Sequence, residues 1–338
     1  MIKEAINGLV EGKSLTFEQA SGAMEEIMSG EATPAQISAF LTALRIKGEN
    51  PDEIAGLASV MRAKATQVKT KSPCIDIVGT GGDGSGSFNI STAACFAAAG
   101  AGLKVAKHGN RASTSKCGAA DILEALGVKI ALSPESVTAC VDKAGVGFMF
   151  AQTYHPAMKY AGPVRKEIGI RTVFNILGPL TNPAHAEYML LGAANEALGE
   201  KIAAVLHRLG VKHALVVHGI DGLDEISLSD KTLVWDVTPE KVSPRYEISP
   251  ERFGLKKADK AAINGGTPPE NAATLRRILD GEKSALRDAV VINAAAALVA
   301  GNMITDFKKA ARTAEEAIDS GRAKKSLVKL IEVSQSLN

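Results

Sequence analysis

Residues 76–92 read DIVGTGGDGSGSFNIST. An apolar, strand-like run ends in five glycines among the eight positions from Gly79 to Gly86, then passes into hydroxyl and amide residues that suit a helix start. Ordering glycine is entropically costly, so this density points to a backbone that approaches a ligand closely. The β-turn-α unit repeats outward along the chain. LKVAKHG (103–109) precedes helical KCGAADILEALG (116–127), and helical SPESVTACVDKAG (133–145) precedes VGFMF (146–150). EYMLLG (187–192), NEALGEKIAAVLHRLG (195–210) and HALVVHG (213–219) continue the alternation. The expected fold class is α/β, with a mostly parallel sheet flanked by helices. Residues 155–182 interrupt the pattern with helical, proline-broken sequence, residues 232–250 give a sparser strand section, and three helical stretches are expected from about 268 to 336.

Residues 1–70 read as helices alone. Ile2, Ile6, Leu9 and Val10 recur at helical spacing, Thr16 with Gln19 forms a capping box, and Thr33-Pro34 and Asn50-Pro51 open two further helices. The reading is a small all-helical N-terminal domain, completed by the helices inserted near 155–182, and an α/β domain over 73–338. KATQVKTKSPC (64–74) is the linker. The apolar faces of the helices before residue 70 exceed what so few residues can bury alone, so a subunit contact is expected there.

Composition excludes several classes. Hydrophobic residues make up 46% of 338, which is globular rather than disordered. The 39 basic and 37 acidic residues nearly cancel, so neither nucleic acid nor a charged membrane surface is an expected partner. There is no signal-peptide core and no long apolar run. Cys74, Cys95, Cys117 and Cys140 form no C-x-x-C pair and read as reduced core thiols of a cytoplasmic protein.

The glycine loop is not a Walker A loop, because Ser87-Phe88 stands where Lys-Ser/Thr is needed. Gly79, Gly81 and Gly84 match G-x-G-x-x-G, but the second strand ends in Lys107-His108 instead of the acid that would take a ribose. What remains is a loop for phosphates and hydroxyls, with backbone N–H groups facing anions. KHGNRASTSKCG (107–118) interleaves cations with small hydroxyls at what should be the same sheet edge. A diphosphate normally arrives with Mg²⁺, and Asp224-Glu225, beyond the end of the strand HALVVHG, are the candidate ligands.

GTGGDGSGSFNIST, KHGNRASTSKCGAAD, HPAMKYAGPVRKEIGIRTVFNILGPLTNPA and GIDGLDEIS, in this order, resemble the anthranilate phosphoribosyltransferase family over essentially the whole chain. The resemblance implies a helical domain joined to an α/β domain, a homodimer, and Mg²⁺, as two ions. It implies transfer of a phosphoribosyl group from 5-phosphoribosyl 1-diphosphate (PRPP) to anthranilate. By resemblance, Gly79, Gly82, Asp83, Ser87, Asn89, Ile90, Ser91 and Thr92 contact PRPP. So do Lys107, His108, Gly109, Asn110, Arg111, Ala112, Ser113, Thr114, Ser115 and Ala119. Ser91, Asp224 and Glu225 match the metal ligands, and Gly79, Asn110 and Arg165 the anthranilate contacts. His108 and His155 are candidate pocket walls. Ala119 and Ala120 depart from the commoner Ser, which removes a hydroxyl contact to the diphosphate at 119. Pyrimidine nucleoside phosphorylases share the architecture, but they use inorganic phosphate and usually run longer.

Overall fold

The computed structural model describes residues 1–112 and 115–337. The chain opens with four helices, α1 (Ile2–Val10), α2 (Phe17–Ser29), α3 (Pro34–Lys47) and α4 (Pro51–Lys64). Three of them begin as the sequence predicts. Thr16, Thr33 and Asn50 each accept a hydrogen bond from the backbone N–H three residues on, and Gln19, Gln36 and Glu53 return it in capping boxes. The wholly buried Glu53 also accepts from the Leu15 N–H (2.9 Å) and pairs with Lys47 (2.9 Å), so one carboxylate ties α3 and α4 to the α1–α2 loop.

The α/β part follows as β1 (Ile75–Gly79), α5 (Ile90–Ala101), β2 (Val105–Gly109), α6 (Ala119–Ala125), α7 (Pro134–Ala144) and β3 (Val146–Phe150). The insert then supplies α8 (Ala151–Tyr154), α9 (Met158–Ile168) and α10 (Phe174–Leu180). Its prolines do not break these helices, because α9 runs through Pro163 and α10 contains Pro179. Next come β4 (Tyr188–Gly192), α11 (Glu196–Arg208), β5 (His213–Gly219), β6 (Thr232–Val237) and β7 (Tyr246–Ile248). The chain closes with α12 (Pro268–Leu279), α13 (Ala285–Ala300), α14 (Phe307–Asp319) and α15 (Arg322–Ser336). This makes four closing helices instead of three. Gly321, at φ 76°, turns the chain between α14 and α15 inside a polar run whose helical periodicity continues across the break.

The sheet has seven strands in the order β3-β2-β1-β4-β5-β6-β7. The first five are parallel; β6 and β7 are antiparallel additions. The order reverses between β1 and β4, whose last residues, Gly79 and Gly192, are partners in register. Such a switch point leaves a crevice beyond the carboxyl ends of the strands.

Two apolar cores flank the sheet. One packs α5, α13, α14 and α15 against one face. The other runs from α1–α4 through α9 and α10 to α11 and the opposite face of β4, β5 and β6. The inserted helices therefore belong to the core of the N-terminal helices, and the Arg62 Nε hydrogen bond to the Leu180 carbonyl (2.6 Å) ties α4 to α10. All four cysteines are free and buried. No helix among the described residues is long and apolar enough to cross a membrane.

Candidate active site

The glycine loop leaves β1 at the switch point. Gly81, Gly82, Gly84 and Gly86 all have φ between 63° and 76°, the left-handed region in which side chains are strained. The N–H groups of Thr80 and Gly81 go to the Gly192 carbonyl (2.8 Å) and to Asp224 Oδ2 (2.7 Å). Those of Ser85 and Ser87 close the loop on Asp83 Oδ1 and Ser85 Oγ. Among the described residues, the N–H groups of Gly82, Asp83, Gly84 and Gly86 have no protein acceptor, so four donors stand at the cleft surface.

Asp224 and Glu225 fold back over the strand ends onto this loop. A Cβ at Gly192 would overlap the Asp224 carbonyl, and one at Gly79 would overlap its carboxylate. The two paired glycines thus open the space that the acidic turn fills. Glu225 Oε1 accepts the Ser91 N–H (3.1 Å) at the first turn of α5. Burial, then the neighbouring Asp83 carboxylate, raises the Asp224 pKa; burial, then Asp224, raises that of Glu225. Such a cluster of buried carboxylates favours a cation. Two carboxylates and the Ser91 hydroxyl are hard oxygen donors of the kind Mg²⁺ prefers.

Strand pleating divides the Lys107-His108 pair between the two faces of the sheet. Lys107 is buried towards α5, its ammonium donating to the Ile77 carbonyl (2.5 Å) and to Ser91 Oγ (3.4 Å), beneath the acidic cluster. His108 turns towards the insert, where its Nδ1–H donates to the Gly178 carbonyl (3.1 Å). His155 packs against it with ring centroids 5.0 Å apart. Burial pushes the two imidazoles down to about 3 and about 4, so both are neutral at pH 7. Both Nε2 atoms are buried without a protein partner.

Arg165, on α9, is half-buried and stacks on Phe174 at 4.9 Å from the ring centroid. Burial lowers its pKa, and among the described residues it has no carboxylate within 4.0 Å. An ion pair inside VRKE is therefore absent. A partly desolvated guanidinium without a counter-ion is arranged to receive an anion.

The remainder of the 107–119 segment is partly engaged within the protein. Arg111 is exposed, pairs with Glu124 and with Asp121 (3.1 Å), and lies over Phe150. Asp121 also accepts the N–H groups of Ala112 and Gly118 (2.9 Å each), closing the segment onto α6. Asn110 and Ser115 are exposed, Ala119 starts α6 beside Gly109, and Ser113 and Thr114 lie outside the described residues. Asn89 bridges the two loops, donating to the Cys117 carbonyl (3.0 Å) and accepting from Asn271 (2.9 Å). Ile90 and Thr92 are buried in α5, and Ser87 lies half-buried.

Sequence reasoning missed several residues that support this site. Asn293, wholly buried on α13, holds the peptide after Glu225: its Oδ1 accepts the Ile226 N–H (2.9 Å) and its Nδ2 donates to the Ile226 carbonyl (3.1 Å). Asp76, wholly buried in β1, accepts from the His108 N–H (3.3 Å) and from Asn182 (2.7 Å). Ile263–Gly265 pair with the glycine loop, through Phe88 N–H to the Ile263 carbonyl (2.8 Å) and Gly265 N–H to the Gly86 carbonyl (2.9 Å). A lone acid in an apolar strand, a lone amide in the apolar run VVINAAAALV and the pair in INGGTP were the available signals.

Comparison with known proteins gives the family. Residues 3–65 match the helical bundle domain, and residues 71–324 the a/b domain, of the glycosyl transferase family. The anthranilate phosphoribosyltransferase of Dehalococcoides mccartyi is 56% identical over 338 residues, covering 100% of this chain and 99% of that protein. The chain belongs to the anthranilate phosphoribosyltransferase family. The crystal structure of the family member from Thermus thermophilus is 43% identical and superposes with a TM-score of 0.93, covering 98% of this chain and 99% of that one. The Saccharomyces cerevisiae anthranilate phosphoribosyltransferase, in complex with PRPP and Mg, is 30% identical with a TM-score of 0.91, covering 99% and 98%.

Proposed function

We propose that the crevice at the β1/β4 switch point transfers the phosphoribosyl group of PRPP to the amine of anthranilate, giving N-(5-phosphoribosyl)anthranilate and diphosphate. The observation that carries this reading is the junction of Asp224 and Glu225 with the glycine loop, through the N–H groups of Gly81 and Ser91. It puts buried carboxylates beside four free backbone donors. The free donors of Gly82–Gly86, with the segment 107–119, hold the phosphates. Asp224, Glu225 and Ser91 hold Mg²⁺, as two ions. Bound there, Mg²⁺ neutralises charge on the diphosphate leaving group.

Arg165 takes the anthranilate carboxylate, and Asn110 and Gly79 line its approach. The amine lone pair forms the N–C1 bond as the C1–O bond breaks, and that electron pair leaves with the diphosphate. The transition state carries oxocarbenium character. The aromatic amine sheds its proton to water after attack. The neutral imidazoles of His108 and His155 add no positive charge beside the developing cation. Orientation and fixed charge then supply most of the acceleration.

The same reading makes the chain a cytoplasmic homodimer, with a domain boundary in residues 70–73. Val10, Ile46 and Tyr160, on α1, α3 and α9, present exposed apolar surface on the helical part. Sedimentation at micromolar concentration should show a dimer.

The deciding assay is loss of anthranilate fluorescence on adding PRPP and Mg²⁺. Asp224→Asn/Glu225→Gln should fold and lose Mg²⁺-stimulated turnover. A double variant with wild-type activity at limiting Mg²⁺ would remove the metal assignment. A wild-type protein that ignores anthranilate and splits thymidine with inorganic phosphate would remove the whole reading.

A further inference from the structure

Arg171 lies between α9 and α10 and reaches from the insert onto the glycine loop. A Cβ on Gly82 would stand 2.7 Å from both Cζ and Nη2 of Arg171. Nη1, the edge of the guanidinium, therefore occupies the space that a Cβ on Gly82 would take, and Gly82 is held at φ 76°. Arg171 is exposed and, among the described residues, has no carboxylate within 4.0 Å and no hydrogen bond of its own. Its position against Gly82 is therefore not explained by an ion pair. Gly82 is the first of the four residues whose N–H groups lack a protein acceptor among the described residues, the others being Asp83, Gly84 and Gly86. Arg171 thus brings an unpaired guanidinium from the insert to the loop that carries these amides.

Resting on the reaction proposed above, we propose that Arg171 is a donor-binding residue that closes over the diphosphate of PRPP from the acceptor side. A guanidinium offers several N–H donors in one plane, a match for adjacent phosphate oxygens. When the C1–O bond breaks, its electron pair moves onto the diphosphate. A cation at that position then binds more strongly in the transition state than in the ground state. Gly82 is glycine for two reasons on this account: the positive φ, and the space that Arg171 Nη1 takes where a side chain would begin. Arg171 and Arg165 come from the same insert but divide the substrates, Arg171 taking the donor and Arg165 the acceptor.

The test compares Arg171→Ala, Arg171→Gln and Arg171→Lys in steady-state kinetics with both substrates, and in calorimetric titration of inorganic diphosphate with Mg²⁺. Arg171→Ala should lower kcat as well as raise the KM for PRPP and weaken diphosphate binding, the two binding effects by about tenfold each, the order of one charge-assisted hydrogen bond in a half-open cleft. The KM for anthranilate should stay within about twofold, and Arg171→Lys should recover part of the loss. PRPP KM and diphosphate affinity both unchanged in Arg171→Ala would overturn the proposal. So would a loss that Arg171→Lys fails to relieve while the melting temperature falls, since that marks a brace for the loop. Should Arg171→Ala fail to fold, the Gln and Lys variants carry the same comparison. The diphosphate titration reads Arg171 even if the acceptor proves not to be anthranilate, which keeps the two readings separable.

Discussion

Asn293→Ala isolates the device that aims the acidic turn. Asn293 has no solvent exposure, and Ile226 has 1%. The side chain makes three hydrogen bonds, two with the Ile226 backbone (2.9 and 3.1 Å) and one to the Ala289 carbonyl (2.9 Å). In Asn293→Ala the Ala289 carbonyl keeps its intrahelical partner. The Ile226 N–H and C=O are left buried and unpaired, at about 1–3 kcal/mol each, for a total on the order of 4 kcal/mol. Urea unfolding should show that loss in the midpoint with little change in the slope. Glu225 precedes the released peptide directly, so the Mg²⁺ concentration for half-maximal turnover should rise by about tenfold or more, a displacement of the size that costs supporting residues their metal affinity. A stability loss under about 1 kcal/mol with unchanged Mg²⁺ dependence would refute the reasoning, because it would mean the turn holds its place without the amide.

Arg165→Ala should raise the KM for anthranilate roughly 10- to 100-fold, with the KM for PRPP nearly unchanged, since its half-buried guanidinium has no other anion to serve. Equal weakening of both substrates, measured by the fluorescence assay, would contradict that division. His213 supplies a pH signature remote from the cleft: burial opposes its charge, but hydrogen bonds to Asp236 Oδ1 (3.0 Å) and Asn302 Oδ1 (2.6 Å) win and raise its pKa above the ordinary 6.5. A histidine raised on folding stabilises most below its unfolded value, and the contribution is lost as pH rises through the folded one. Unfolding free energies compared at acidic and alkaline ends of that window should converge in His213→Gln; a variant with the wild-type pH slope would show that the imidazole is not the source.

The parts of the fold legible in the sequence were those with a local signal. The capping box at Thr16, the helix starts at Thr33-Pro34 and Asn50-Pro51 and the βα alternation depend on residues a few positions apart, and the structure reproduces them. The α14/α15 boundary escaped because Gly321 sits in a run whose polarity changes little across it. Lys107, His108 and Arg111 look alike on paper as one basic turn. Pleating and a pair of acids on α6 send them to three environments: beneath the acidic cluster, towards the insert, and onto Asp121 and Glu124. Charge composition alone could not separate these, because the partners lie on other elements.

The missed residues share a physical cause. Asn293, Asp76, Asn182 and Asn271 act by satisfying backbone groups or one another across the tertiary fold, and their chemistry carries no spacing rule. Each nevertheless leaves a trace as a polar group where the pattern asks for an apolar one. A buried amide or carboxylate is tolerated only when it is hydrogen-bonded, so the trace locates a network before the network is seen. Gly192 shows the limit of that approach. At a strand end it reads as an ordinary turn residue, and only the register with Gly79 and the return of Asp224 reveal that two missing side chains make the space for the acidic turn. The crevice is defined as much by those two absent methyl groups as by the carboxylates that enter through them.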